Sequence, residues 1–239
     1  MRKTLSILGL AALLASGLAA AVVDPGVAPD DAIRMLSEGN ERFARNLVLH
    51  PHQDAERLRR LAHREQPFAA VVADSDSRSC PEIVFDQGLG DLYVIRDGGA
   101  VVKSEVELGS LEYAVDKLGV NLIVVLGQTQ SGPLMEALRG VKKNPQNHLE
   151  ELTTDLRAPV EEAGDKVGGL SGGDLMREAT EMNVLYQMKE MLKDSPLIAE
   201  RVKAGTLKVV GGVYHLENNR VQWLGEHPDQ AAILAGKRP

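Results

Sequence analysis

The sequence predicts an α/β fold, a mainly parallel β-sheet flanked by helices, on three observations. Two continuous apolar runs, residues 68–73 and 121–126, break abruptly into small polar residues, as strands buried on both faces of a parallel sheet do at their C-terminal ends. Stretches with helical apolar spacing alternate with these runs, which is the pattern of βαβ units. No internal repeat or second block of distinct composition interrupts the 239 residues, so a single folded domain is expected.

The chain opens with Arg2 and Lys3 and an apolar run over 5–21 that ends in Ala19-Ala20-Ala21. That reads as a cleavable secretory signal at 1–21 ahead of a domain at 22–239, and places the mature protein in the periplasm or outside the cell. A membrane-anchored helix is the competing reading, but the run is short for a full span and small residues crowd its end. The formal net charge of −7 becomes more acidic once Arg2 and Lys3 leave, which argues against nucleic acid or an anionic membrane as partner of the mature chain. Cys80 is the only cysteine, so neither an intramolecular disulfide nor a multi-cysteine zinc site can form within one chain.

Taken in order, a Pro-containing linker at 24–29 leads to a helix with Asp30 as N-cap and Ile33, Leu36 and Phe43 near one face. A second, highly charged helix is expected over 54–64. His50 and His52 precede it without a third donor to complete a metal set. The strand at 68–73 runs into a polar loop and a short helix starting at Pro81, with proline in the first turn. Residues 91–96 read as the next strand. The helix at 106–118 carries Leu108, Leu111, Ala114 and Leu118 on one stripe and feeds the strand at 121–126. A helix follows at 132–138, then a polar stretch to about 173 that reads as a mobile connection. Its paired glycines lack the preceding strand and following lysine of a phosphate loop. The helix at 174–192 has a stripe of Leu175, Met182, Leu185 and Met188 suited to core or dimer packing. The last apolar runs, on either side of Asn218-Asn219, read as a hairpin at the sheet edge.

The residues after the two buried strands carry a resemblance. Asp76-Ser77-Arg78 followed by Pro81-Glu82 is similar to the Cys-x-Asp-Ser-Arg and Pro-Glu motif of β-class carbonic anhydrases, and Leu126-Gly127 opens a segment similar to that family's Leu-Gly-His-x-x-Cys. Gly39-Asn40 with Arg42-Phe43, the run at 82–96 and the closing Gly211 to Leu216 segment, with Tyr214 in place, also resemble the family, so the likeness spans about 29–225. It implies a β-carbonic anhydrase-like fold whose N-terminal helices reach over a partner subunit, in a homodimer or dimer of dimers. It also implies catalytic roles for Asp76 and Arg78, which in the family orient a zinc-bound water.

Three positions depart from it. Asp74 and Ser131 stand where the family has zinc-binding cysteines and Gln128 where it has histidine; 97–100 and His215 depart as well. Thiolate and imidazole are far better zinc donors than one carboxylate, an amide and a hydroxyl, so no metal is expected at these former ligand positions. The same oxygens would suit Mg²⁺, Ca²⁺ or Mn²⁺ better. Without a metal, Asp74 leaves a negative site that repels a small anion such as bicarbonate unless Asp74 is protonated, and crowding with Asp76 is expected to raise the pKa of one of the two. Cys80 reads as a small packed residue, with a displaced metal ligand and a nucleophile paired to His215 as alternatives. Two functions follow from the resemblance: a pseudoenzyme serving as a binding or assembly module, or a lyase acting on carbon dioxide, carbonyl sulfide or carbon disulfide with another metal or none.

Overall fold

The structure, a computed structural model, describes residues 26–140, 142, 144, 146–166 and 172–236. The expected signal at 1–21 lies outside them. Five strands, β1 (Ala69–Asp74), β2 (Leu92–Asp97), β3 (Leu122–Gln128), β4 (Lys208–His215) and β5 (Arg220–Gly225), form one sheet in the order β2-β1-β3-β4-β5. The first four run parallel and β5 returns antiparallel to β4, which is the expected mainly parallel sheet with an edge hairpin. Every residue of β1 and β3 is buried, the reason both read as unbroken apolar runs.

Alternate strand residues feed two layers. On one face, α1 (Pro29–Ala44) and α3 (Pro81–Val84) pack Ala32, Leu36 and Val84 against Ala69, Val71 and Leu122. On the other, α4 (Glu105–Asp116), α8 (Gly173–Asp194) and α9 (Pro196–Lys203) pack Leu111, Val184, Met188 and Ile198 against Ala70, Val72 and Ile123. Helix α8 lies very close to β3. A Cβ at Gly127 would stand 2.7 Å from Val184 Cγ2, so glycine there is what permits the approach.

Several expectations shift. Asp30 does not cap α1: Ala28 holds that position, Pro29 opens the helix, and Asp30 pairs with Lys208 from the first turn at 2.5 Å. Asp54 caps α2 (Ala55–Leu61) by accepting the N–H of Arg57, and the helix stops three residues before 64. Strands β1 and β3 extend through Asp74 and Gln128, so two of the expected site residues end strands rather than begin loops. Ser104 caps α4 with a capping box to Glu107, which starts the helix one residue before the expected 106. After α5 (Gly132–Arg139), the stretch read as a mobile connection contains α6 (Leu149–Thr154) and α7 (Arg157–Lys166). The reason is a third apolar cluster: Leu156, Val160 and Ala163 pack against Leu134 and Met176, a helical spacing hidden among charges. The chain ends in α10 (Gln230–Leu234). Among the described residues no helix is long and apolar enough to cross a membrane.

Candidate functional site

Strands β1 and β3 are neighbours with Ala73 opposite Leu126, so Asp74, the loop after it and Gln128 meet at the C-terminal edge of the sheet. Ligands of open α/β sheets bind along that edge. Asp74, Gln128 and Ser131 are all buried there. Both oxygens of Asp74 are engaged by the protein: Oδ1 accepts the N–H of Asp76 at 3.0 Å, and Oδ2 accepts the hydroxyl of Ser131 at 2.6 Å. The Asp74–Ser131 contact is a short, charge-assisted hydrogen bond inside the protein.

Arg78 grips Asp76 with a forked pair of hydrogen bonds, Nε to Oδ1 at 2.9 Å and Nη2 to Oδ2 at 2.5 Å, while its own N–H adds a third at 2.9 Å. These bonds hold the Asp76 carboxyl far below the usual carboxylate range against the opposing effect of partial burial, with the nearby amide of Gln128 assisting. Of the two carboxyls expected to crowd each other, Asp76 is therefore not the one raised, because the Arg78 guanidinium lowers it. The Gln128 amide approaches Asp76 without reaching hydrogen-bond geometry, and its Oε1 and Nε2 are both buried with no partner among the described residues.

Arg96 is the residue sequence reasoning missed. It donates from Nε to the carbonyl of Asp74 at 3.1 Å and from Nη2 to that of Asp76 at 2.6 Å, fixing the backbone on which both carboxylates stand. It sits in β2 opposite Ala73, and a lone basic residue near the end of an apolar strand is the signal that marks it. The divergent segment 97–100 packs here too, since the carbonyl of Asp97 accepts the N–H of Ser75 at 3.0 Å. On the outer side, Arg78 and Gln130 line a crevice of 450 Å³ with Thr129, Met176, Arg177 and Glu217.

The structure does not pair Cys80 with a histidine. Cys80 is half-buried and donates to Glu82 at 3.3 Å; burial and that carboxylate push its thiol up, which makes it a poor nucleophile. His215 instead bonds Glu217 and Gln222. His52 meets Asp91 at 2.7 Å, alongside Arg57, in an anchor for the loop before α2.

A family-wide sequence profile described as carbonic anhydrase matches residues 69–221. Carbonic anhydrase 2 of Mycobacterium tuberculosis is 37% identical over 198 residues, covering 82% of this chain and 93% of the relative. The chain belongs to the β-carbonic anhydrase family. The β-carbonic anhydrase of Coccomyxa, solved with acetazolamide, superimposes with a TM-score of 0.66 at 25% identity over 82% of this chain and 88% of that one. Two tetrameric β-carbonic anhydrases of Sordaria macrospora share the fold, with a TM-score of 0.66 at 22% identity over 82% of this chain and 98% of theirs.

The family implies zinc at this edge, and the donors present do not fit it. Asp74 is a carboxylate already hydrogen-bonded on both oxygens, and beside it stand only the neutral amide of Gln128 and the neutral hydroxyl of Ser131, a donor set far weaker for zinc than thiolate or imidazole. Nor is a hard cation well served, because Asp76 is matched by Arg78 and a single remaining carboxylate is too few. Among the described residues no group of three or more His, Cys, Asp or Glu side chains is placed to hold a metal.

Proposed function

We propose that this chain is an exported β-carbonic anhydrase homologue that has lost its zinc ligands and serves as a binding or assembly module, as a homodimer or dimer of dimers. The observation that carries the reading is the 2.6 Å hydrogen bond from Ser131 to Asp74. At the two positions where the resembled family directs thiolates onto a metal, these side chains close on each other. Asp74 and Ser131 then spend on each other the donor and acceptor that a metal or a bicarbonate ion would need.

Elemental analysis of the purified protein together with stopped-flow carbon dioxide hydration tests this. Zinc well below one per chain and no hydration above the buffer rate are expected. The forked Asp76–Arg78 pair favours one second reading, a lyase that works with another metal or none, because it keeps an anionic acceptor ready to orient a water. Brisk hydration that survives exhaustive chelation would overturn the first reading in favour of metal-free catalysis. Export is tested by the intact mass of protein from a bacterial host: cleavage near Ala21 is expected, and Met1 retained in a soluble cytoplasmic fraction contradicts it.

A further inference from the structure

A second cavity lies well away from the strand ends. Helix α8 packs Val184, Met188 and Met191 on the sheet and presents Met182, Tyr186 and Lys189 to a space of 370 Å³ bounded by Glu162 of α7 and by the turn His227-Pro228-Asp229. That volume lies at the small end of the roughly 300–1,000 Å³ typical of ligand pockets. Its walls carry two hydrogen-bond donors, on His227 and Lys189, that make no hydrogen bond or ion pair among the described residues.

The ring of His227 is buried, and its Nδ1 accepts the N–H of Asp229 at 3.0 Å. The neutral ring must then carry its proton on Nε2, which makes that atom a donor. Burial holds the ring neutral by lowering its pKa, with Lys189 adding to the effect and Asp229 and Glu162 opposing it. Lys189 places its ammonium 5.0 Å from the centre of the Tyr186 ring. Burial also raises the Tyr186 phenol, with Glu190 adding to the effect, so the ring under Lys189 stays neutral. Among the described residues, His227 Nε2 and the Lys189 ammonium have no hydrogen-bond or ion-pair partner, and neither do the carboxylates of Glu162 and Asp229.

The lining therefore offers both signs of charge in one small space. A simple anion drawn to Lys189 would meet two carboxylates, and a simple cation drawn to those carboxylates would meet Lys189. A molecule with an anionic and a cationic group a few bonds apart satisfies both. We propose that this cavity binds a small zwitterion, an α-amino acid with a short apolar side chain. Its carboxylate faces Lys189 and His227, its ammonium faces Glu162 and Asp229, and its side chain rests on Met182, Leu185 and Pro228. The proposal is independent of how the strand-end site is read.

The test is an NMR titration of the full-length folded protein, following the ring resonances of His227 assigned by comparison with His227→Gln. L-valine is the probe, with acetate and isopropylamine as its two halves. L-valine is expected to shift those resonances saturably, and each half-molecule to bind at least about tenfold more weakly. Lys189→Met and Glu162→Gln should each weaken L-valine by about tenfold or more at unchanged melting temperature. Acetate binding as tightly as L-valine would reduce the cavity to an anion site and overturn the proposal. So would the absence of a saturable shift up to roughly 10 mM L-valine, or wild-type affinity in either variant.

Discussion

Ser131 supplies the hydrogen bond that satisfies Oδ2 of the buried Asp74 side chain. Replacing it with alanine leaves Asp74 Oδ2 without its 2.6 Å donor, and an unmatched buried acceptor costs about 1–3 kcal/mol. Urea denaturation of Ser131→Ala at neutral pH should show that loss; an unchanged midpoint would mean that the contact does not stabilise the fold. The companion experiment rebuilds the metal site. Asp74→Cys, Gln128→His and Ser131→Cys together should bind one zinc per chain and hydrate carbon dioxide, because Asp76, Arg78 and Arg96 already hold the surrounding geometry. Any one of the three alone should fail, since a closed zinc site needs all its protein ligands. A triple variant that binds zinc and stays inert would move the defect to 97–100. Asp76 and Arg78 were legible in the sequence because they are two residues apart in a recognisable motif. The Asp74–Ser131 bond was not, since it joins residues 57 positions apart, and neither was Arg96, whose contact depends on strand register.

Helix α1 is held by polar contacts more than its amphipathic pattern implies. Gly39 comes so close to Phe85 that an added Cβ would stand 1.8 Å from its carbonyl oxygen, and Asn40 bonds the carbonyls of Val84 and Asn219 and the N–H of Val221. The Gly-Asn pair thus has work to do within one subunit, whatever it contributes across an interface. Arg42 of the same helix meets Asp86, whose side chain is buried and also accepts the N–H groups of Leu49 and His50. Burial works to raise the Asp86 carboxyl, but those donors outweigh it and the net shift is downward. A carboxyl whose folded pKa is depressed stabilises the protein above its unfolded pKa of about 3.9 and loses that contribution as pH falls through the folded value. Asp86→Asn should therefore cost about 1–3 kcal/mol at pH 7. The gap to the wild type should narrow below about pH 4, where the wild type loses what the variant never had. Urea midpoints at the two pH values measure it, and a gap that stays constant would show that ionised Asp86 is not the stabilising species. The same scale explains the misread segment before α8. Helix α7 is short and half charged, and only the burial of Val160 and Ala163 against the cluster of Leu134 and Met176 shows why it forms.

At the scale of the molecule the fold was legible because doubly covered parallel strands write themselves as unbroken apolar runs, and β1 and β3 are buried throughout. What lies outside one chain is less directly written. Strand β2 pairs only with β1 among the described residues, which leaves its outer edge open. Leu89 borders a groove with Leu92 of that strand, and Leu47, Leu49, Leu58, Ile83 and Leu89 are all exposed, Ile83 by 59% and Leu89 by 45%. Arg57 bonds the carbonyl of Leu89 and the N–H of Leu89 bonds the carbonyl of His52, which draws the α2 segment onto Leu89, while Ile83 borders a groove with Val48 and His50. An open strand edge flanked by large apolar side chains invites a second copy of the chain, and a stable pairing of this kind buries about 1,200–2,000 Å² in total. Light scattering at micromolar concentration should accordingly report a dimer or a tetramer. Ile83→Glu with Leu89→Glu places charge on two solvent-facing positions, so it should shift the population toward monomer without disturbing the buried core. A wild-type chain that is monomeric under those conditions would remove the assembly from the proposed function, and a dimer indifferent to the double substitution would place its contact on another face.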